Sequence, residues 1–402
     1  MTLKEELEIL RGEPIEVFDG DPLDIPCIET SDTERLCKNP VVSVHMITYN
    51  HEPYIRQAIE GVMMQKTDFE FELVIGEDCS QDKTREICFE YQKKYPDKIR
   101  VLWWHENVSK LGGNGRRNRA HCRGEFIAFC EGDDYWIDPL KLQKQVDVMR
   151  KHPNVGLCHS HCRLIALDGK ESGPSSDDKR QSRIIPSDEF VANHVFGWNF
   201  RGAFGRGANV VTPTSLFRRS LLEAAIDNFD VFRWKLLLGD EQCYLGTGAI
   251  SDVYFIADEM AVYRRNQGSS VSRLGGLLRR DHILVRMYFG IIKYNINPSD
   301  ISPAMLDNFR LSVVKSIIMR RQNPNDSLIC HPARYAFSVL LNKRIRHVFM
   351  SFRSLPTLFF LLLGIANSFV IRVQGWYHRR FLLDGYSSKG YRFFKRYLEI
   401  EL

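Results

Sequence analysis

The chain has 402 residues, of which 44% are hydrophobic and 26% charged, and its formal net charge is +5. This length allows one large domain or two, the composition is that of a globular protein, and so mild a charge gives no reason to expect nucleic-acid binding. The ten cysteines form no CxxC pair, and the first residues lack the basic and apolar segments of a signal peptide. We therefore expect a cytoplasmic protein with reduced thiols.

Strands and helices are predicted to alternate along the first third of the chain. Residues 1–38 are polar and acidic, and we interpret them as a helical turn and a linker. Apolar periodicity predicts one helix that opens at Pro53 and another from about Lys83 to Lys94. Apolar runs rich in β-branched residues predict strands at 41–47, 71–75, 99–104 and 126–130. This alternation is typical of α/β folds with a parallel sheet.

Polar clusters follow three of these strands. They are Thr48-Tyr49-Asn50, Glu77-Asp78 and Glu131-Gly132-Asp133-Asp134. The ends of parallel strands converge on one crevice, where open α/β sheets bind their ligands. Three acids within four positions repel one another unless a cation lies between them, and Mg²⁺ or Mn²⁺ is usually held by one or two carboxylates together with substrate phosphates. We expect a metal and diphosphate site here; the alternative is an acidic cap for a helix that begins near Asp138-Pro139.

Several motifs in this order resemble those of glycosyltransferase family 2, whose members are inverting enzymes with the GT-A fold. The matching segments are 42–50, 72–84, 131–146, 238–242 and 258–265. The resemblance covers about residues 40–275. It implies an α/β fold with a Rossmann-like mixed, mostly parallel sheet flanked by helices, and a helical C-terminal extension. We accordingly predict an N-terminal extension (1–38), a glycosyltransferase domain (39–275) and a helical, basic and hydrophobic C-terminal region (276–402).

The resemblance also implies roles for individual residues. Asp240 would be the catalytic base, and Asp133 and Asp134 would hold Mn²⁺ or Mg²⁺. The residues expected to bind the nucleotide sugar are Thr48, Tyr49, Asn50, Glu77, Asp78, Arg117, Asn118, Glu131, Asp133 and Arg264. The chain departs from the usual family motifs where Glu77 and Glu131 replace aspartates and Cys79 replaces a glycine.

Three of these features also fit purely structural roles. Asp240 could be a helix cap, and Glu241 is a rival for the role of base. Arg264 or Arg265 is expected to clamp the diphosphate, but either could be a solvated surface charge. The glycines of 112–115 would let the backbone approach a phosphate, although a flexible connector would account for them equally well.

The remaining segments give weaker signals. The histidines and cysteines of 155–162 suggest zinc, but a strand would turn His159 and His161 to one face and Cys158 and Cys162 to the other, so we predict a core strand. Residues 168–187 resemble a loop. The stretch 196–207, with Trp198 and Phe200, is either an acceptor lid or an anchored surface loop. Residues 212–219 are expected to lead into a helix.

The nearly uncharged segment Leu355–Ile371 lies between basic residues. It is shorter than the ~20 residues that span a bilayer, so we predict a segment in the membrane interface, with a buried hairpin as the alternative.

The resulting functional hypothesis is transfer of a sugar from a UDP-sugar or similar donor to an acceptor hydroxyl, with inversion. The expected partners are the nucleotide sugar, a glycan or lipid-linked acceptor and the inner face of the cell membrane, and no nucleic acid. One alternative is a nucleotide-sugar-binding scaffold without transferase activity. Another is a nucleotidyltransferase, which would need a Gly-rich loop where Asn50-His51-Glu52-Pro53 stands.

Overall fold

The computed structural model describes residues 26–109, 114–166, 171–174, 181–196, 210–228 and 239–264. All of them belong to one compact unit, which spans 15–197 and 206–274. The C-terminal region 276–402, with its proposed membrane segment, lies outside the described residues, as do Trp198, Phe200 and Arg265. The domain boundaries therefore remain predictions.

The described strands form one mixed sheet. They are β1 (Ile28–Thr30), β2 (Val42–Thr48), β3 (Phe71–Glu77), β4 (Ile99–Trp103), β5 (Phe126–Phe129), β6 (Tyr135–Trp136), β7 (Val155–Ile165), β8 (Glu171–Pro174), β9 (Arg183–Ile185), β10 (Leu216–Arg218) and β11 (Asp252–Arg264). Their order is β1-β4-β3-β2-β5-β10-β7-β11-β6, with β8 paired to β7 and β9 to β11. The long strands β2, β3, β4, β7 and β11 all run in one direction, and the short strands β1, β6, β8, β9 and β10 run against them.

Helices follow the strands as the sequence predicts. They are α1 (Ile55–Met63), α2 (Thr84–Lys94), α3 (Asn114–Ala120), α4 (Lys141–Lys151), α5 (Ser187–Phe196), α6 (Arg219–Asn228) and α7 (Gly239–Ile250), with a 3-10 turn at Thr212–Thr214. The apolar face predicted for α1, which includes Ile55, Ile59 and Val62, is buried. Burial of such a face against the sheet supplies most of the stability of a short helix. No helix among the described residues is both long and apolar enough to cross a bilayer.

Strands β4-β3-β2-β5 form a parallel core. Every residue of β3 and of β5 is buried, as is usual for strands covered on both faces. This burial is the reason that these strands appear in the sequence as mainly apolar runs. Together with the flanking helices, the sheet confirms the predicted α/β class and its GT-A type of architecture.

Short edge strands are where the sequence prediction is wrong. β1, which pairs with β4, lies inside the segment interpreted as a linker, and β8 and β9 lie within the predicted loop 168–187. An edge strand of three or four residues needs only one backbone neighbour, so it can be polar and leave no apolar signal. By contrast, β7 is the predicted core strand, and Cys158, His159 and Cys162 are buried in it.

Candidate active site

The ends of the parallel core strands are joined by backbone hydrogen bonds. Thr48 lies opposite Glu77 in the register of β2 and β3. The amide of Asp78 donates to the carbonyl of Thr48 over 3.1 Å, and the amide of Gly132 donates to the carbonyl of Ile47 over 2.9 Å. The three polar clusters of the sequence therefore meet at one edge of the sheet.

The acids after β5 form a compact cluster. Ligand atoms of Glu131, Asp133 and Asp134 all lie within 4.8 Å of one another, and this is the one such group in the described part of the chain. Asp134 is 1% exposed, and its Oδ1 accepts a hydrogen bond of 2.8 Å from the amide of Arg264. Its Oδ2 has no hydrogen-bond partner among the described residues. A buried carboxylate oxygen without a donor costs free energy, which a cation would offset.

The cluster does not cap the next helix. Strand β6 separates it from α4, which begins at Lys141. The side chain that accepts an amide there belongs to Asp138, whose Oδ1 is 2.8 Å from the amide nitrogen of Leu140. This arrangement disfavours the capping alternative.

Electrostatics at the cluster also favour a cation. Burial raises the pKa of Glu131 well above its ordinary value, and Asp133 and Asp240 raise it further. Burial likewise raises the pKa of Asp134, with added repulsion from Asp133 and Glu131. Because a divalent ion between oxygen ligands would relieve both effects, the residues present fit Mg²⁺ or Mn²⁺.

Gly132 allows the cluster to lie against the end of β2. A Cβ atom at this position would be 2.6 Å from Oγ1 of Thr48 and 3.0 Å from Nδ1 of His51. Nε2 of His51 is 4.0 Å from Oδ2 of Asp133. Burial lowers the pKa of His51, and Asp133 opposes that shift. His51 is not among the residues that the sequence predicts for the site, although it stands in the loop directly after Asn50.

The loops after β2 and β3 are tied together. The amide of Asn50 donates to Oγ of Ser80 over 3.0 Å, and Oδ1 of Asn50 accepts from the amide of Gln81 over 2.8 Å. Asn50 and Cys79 both have positive φ angles, 55° and 61°. Tyr49, between these ties and β2, is exposed. Asn50 thus holds the two loops in one arrangement.

Glu77 and Asp78 already have partners within the protein. Oε1 of Glu77 accepts from the amide of Ser80 over 2.7 Å, and its Oε2 is paired with Arg85. Oδ1 of Asp78 accepts from the amide of Val108 over 2.7 Å. These contacts fix the loops at the sheet edge, and direct binding of a nucleotide base by either carboxylate remains a prediction.

The two α3 residues predicted to bind the nucleotide differ in their surroundings. Asn118 is fully buried, and its Nδ2 donates to the carbonyl of Val74 over 3.1 Å. Arg117 is buried too, and burial lowers its pKa while the Asp78 carboxylate raises it. Asn118 therefore joins α3 to the sheet, whereas the charge of Arg117 interacts with the carboxylate of Asp78 at the sheet edge.

Asp240 lies in the first turn of α7. Its Oδ2 accepts a hydrogen bond of 3.3 Å from the hydroxyl of Thr212. Burial raises its pKa above the ordinary value, and the hydrogen bond from Thr212 opposes the shift. The charge of Asp240 also raises the pKa of Glu131, so the candidate base lies within electrostatic range of the acidic cluster. Its rival, Glu241, is more deeply buried, with 7% exposure.

Arg264 ends β11 beside the cluster. Its guanidinium lies 5.0 Å from the ring centroid of Tyr54 and 4.7 Å from that of Tyr135. It also donates to Oε1 of Gln57. The arginine is therefore held in place beside Asp134, where a positive charge suits an anionic ligand.

Acidic residues gathered at the carboxyl ends of parallel strands, with a partly buried aspartate nearby, occupy the edge of the sheet where α/β proteins bind their ligands. Residues 43–207 match the model of "Glycosyl transferase family 2". This match confirms the resemblance to glycosyltransferase family 2 that the sequence motifs predict.

Two bacterial relatives illustrate the similarity. An uncharacterized protein of Mycobacterium tuberculosis is 41% identical over 128 residues, which are 32% of this chain and 37% of the relative. The poly(ribitol-phosphate) beta-N-acetylglucosaminyltransferase TarS of Staphylococcus aureus is 30% identical over 210 residues, 50% of this chain and 31% of the relative. The crystal structure of TarS residues 1–349 with UDP has a TM-score of 0.49 and 18% identity, over 81% of this chain and 88% of that chain. The sequence match thus spans well under half the length of these two curated relatives.

Proposed function

We propose that the protein transfers a sugar from a nucleoside diphosphate sugar, a UDP-sugar in the first instance, to an acceptor hydroxyl with inversion. The observation that supports this most directly is the cluster of Glu131, Asp133 and Asp134 together with the charge of Asp240, which is near enough to raise the pKa of Glu131. The match of residues 43–207 to the model of family 2 supports the reaction class. We place the reaction in the synthesis of a cell-surface polysaccharide or lipid-linked glycan, since the relative TarS is named for transfer to a poly(ribitol-phosphate).

In this mechanism Asp240 takes the proton from the acceptor hydroxyl. The hydroxyl oxygen attacks the anomeric carbon from the face opposite the diphosphate, so that one C–O bond forms while the bond to the diphosphate breaks. A single displacement of this kind inverts the anomeric centre. Burial raises the pKa of Asp240, which makes its carboxylate a stronger base than one in water.

The leaving diphosphate gains negative charge during this step. Asp133 and Asp134 would hold Mn²⁺ or Mg²⁺, which supplies charge neutralisation to the leaving group when bound. Arg264 would add a fixed positive charge beside Asp134, and Arg117 would add another near Asp78. The strand-end residues Thr48, Tyr49, Glu77 and Asp78 would hold the base, and Glu131 and Asp133 would contact the ribose.

Calorimetry with UDP, in Mn²⁺ and then in EDTA, tests the donor site. We expect binding in Mn²⁺ and none in EDTA, and loss of the Mn²⁺-dependent binding in Asp133→Ala. Unchanged affinity in Asp133→Ala would refute the metal role of that residue. Absence of UDP binding in both conditions, followed by absence of binding to GDP and dTDP, would refute the proposed donor class.

A second variant separates transfer from binding. Asp240→Asn should abolish transfer of sugar from the donor while UDP affinity stays within about twofold, because the carboxylate acts only on the acceptor proton. Glu241→Gln is the matched control, since it removes the neighbouring charge. Substantial transfer by Asp240→Asn would refute the base assignment. UDP-sugar binding without transfer in the unmodified protein would favour the scaffold.

We also propose that the protein works at the inner face of the cell membrane, through the basic and apolar part of residues 276–402. Vesicles with anionic lipids should retain the full chain in a flotation experiment and lose a chain that lacks residues 340–402. Equal flotation of the two chains would contradict this location.

A further inference from the structure

Thr212 contacts the candidate base but has no role in the mechanism above. Its hydroxyl donates to Oδ2 of Asp240 over 3.3 Å, and the residue is 6% exposed. A hydrogen bond to one carboxylate oxygen restricts rotation of the group. The direction in which Asp240 presents its other oxygen therefore depends on where Thr212 is held.

Thr212 belongs to a 3-10 turn whose carbonyl groups accept hydrogen bonds from buried side chains. Nε1 of Trp136 donates to the carbonyl of Pro213 over 2.8 Å. Nε2 of Gln145 donates to the carbonyl of Thr214 over 2.8 Å. The hydroxyl of Ser215 donates to the carbonyl of Thr212 over 2.9 Å. Each carbonyl of the turn thus has a side-chain donor, and the turn has one defined position.

A buried lysine joins two of these side chains. Lys141 is fully buried, its Nζ donates to Oε1 of Gln145 over 2.7 Å, and its Nζ lies 4.2 Å from the ring centroid of Trp136. Burial lowers its pKa to about 7. Burying an amine that carries or can gain a charge costs free energy. The position of Lys141 against both Gln145 and Trp136 therefore indicates a structural role. Lys141 fixes the orientation of the Gln145 amide and the Trp136 ring.

We propose that Thr212 is a positioning residue for Asp240, and that Trp136, Gln145 and Lys141 keep Thr212 in place. This inference rests on the proposed function. The hydroxyl of Thr212 directs one carboxylate oxygen of Asp240, which leaves the other oxygen to accept the acceptor proton. Thr212 itself neither gains nor loses a proton and does not contact the donor.

The test compares Thr212→Val with Thr212→Ser. Valine has nearly the shape of threonine but lacks the hydroxyl, whereas serine keeps it. We expect kcat to fall about 10-fold to 100-fold in Thr212→Val, as for loss of a hydrogen bond to a charged group, with KM for the donor and UDP affinity within about threefold. Thr212→Ser should recover most of kcat.

Thr247→Val is the matched control. Thr247 is a fully buried threonine of the same helix as Asp240, and its hydroxyl has no hydrogen-bond partner among the described residues. The kcat of Thr247→Val should stay within about twofold of that of the unmodified protein. An equal loss of kcat in Thr247→Val would point to general loosening of α7 and overturn the inference.

A second route acts through the support rather than through Thr212. Trp136→Phe removes the indole donor to Pro213 but keeps an aromatic ring over Lys141. We expect a smaller fall in kcat, about threefold to tenfold, again with unchanged UDP affinity. This variant also keeps the question open to test if Thr212→Val does not fold.

The outcomes separate this inference from the proposed function. If Thr212→Val keeps full kcat while Asp240→Asn loses transfer, the positioning role is overturned and the proposed function stands. A fall in UDP affinity equal to the fall in kcat would also overturn it, because it would assign Thr212 to the donor site. If the unmodified protein turns over no nucleoside diphosphate sugar, the proposed function fails and this inference fails with it.

Discussion

The main-chain amide of Arg264 donates a hydrogen bond of 2.8 Å to Oδ1 of Asp134. This bond joins the end of β11 to the acidic cluster after β5, two segments 130 residues apart in the sequence. It occupies one oxygen of Asp134 and leaves the other, Oδ2, for a cation. The guanidinium of Arg264 lies over the ring of Tyr135, the residue that follows Asp134 in the sequence.

Asp134→Asn should weaken Mn²⁺-dependent UDP binding without unfolding the protein. The amide oxygen of asparagine can still accept from Arg264, but the residue has lost the negative charge that attracts the metal. We expect a 10-fold to 100-fold loss of affinity, about the size seen for residues around metals. Calorimetry with UDP and Mn²⁺ measures it. Asp138→Asn, the same change outside the cluster, should bind normally; equal losses in both variants would contradict a specific role for Asp134.

The pH dependence of stability should differ with and without metal. The pKa values of Glu131 and Asp134 are raised above their ordinary values of 4.5 and 3.8. At a pH between the ordinary and the raised value of each group, the folded protein therefore holds more protons than the unfolded chain. Stability in EDTA should therefore fall as pH rises through that window. A metal binds the deprotonated carboxylates, so the stabilisation by Mn²⁺ should grow over the same range.

Thermal unfolding from pH 5 to pH 8, in EDTA and in Mn²⁺, measures this difference. Asp134→Asn should show a smaller dependence on pH in EDTA, since one of the two groups no longer titrates. A stabilisation by Mn²⁺ that is constant over pH would contradict binding at these carboxylates.

Gly132→Ala should destabilise the protein and weaken UDP binding. The new methyl group would meet Oγ1 of Thr48 at 2.6 Å, so the end of β2 or the acidic loop has to move. Overpacking of this kind costs about 1–3 kcal/mol of the free energy of unfolding. Gly239→Ala is the control, because a Cβ at that position has no neighbour within 4 Å among the described residues. Denaturant unfolding measures both variants, and an equal loss in the free energy of unfolding would contradict the prediction.

Cys79→Gly should stabilise the protein. Cys79 has a φ of 61°, in the region that glycine adopts without strain and that costs other residues ~1–2 kcal/mol. Glycine gives back part of this gain through the entropy of the unfolded chain, so we expect about 0.5–1 kcal/mol. Cys79→Ala also removes the thiol, which donates to the carbonyl of His105, but keeps the strain. Denaturant unfolding compares the variants, and Cys79→Ala as stable as Cys79→Gly would show that the backbone angle is not the cause.

The sequence predicts the sheet core because the strands of the parallel core are buried on both faces and therefore consist mainly of apolar residues. It does not predict β1, since that strand is held by backbone pairing with β4 and needs no apolar face. The glycine usual at position 79 marks the left-handed turn that Cys79 adopts here. In this case the glycine of the family motif indicates the positive φ angle at position 79, whereas the cysteine does not.

The candidate site is predictable only in part. Short spacing brings Glu131, Asp133 and Asp134 together, and the strand ends bring Thr48 beside Glu77. Other contacts between side chains leave no such pattern: nothing in the sequence indicates that the carboxylate of Glu77 pairs with Arg85 in the following helix. Thr212 is 28 residues from Asp240. The sequence predicts only that residues 212–219 lead into a helix, and it does not indicate which side chain Thr212 contacts.

The ties between the loops after β2 and β3 have a consequence for recognition. Besides the bonds of Asn50, the amide of Glu52 donates to Asp82 over 3.1 Å and the amide of Lys83 donates to Glu52 over 3.1 Å. We propose that these loops receive the base, and because the hydrogen bonds between them already fix their arrangement, little conformational entropy would be lost on binding. Loops fixed in this way would discriminate between bases by shape, since they could not adjust to a larger ring.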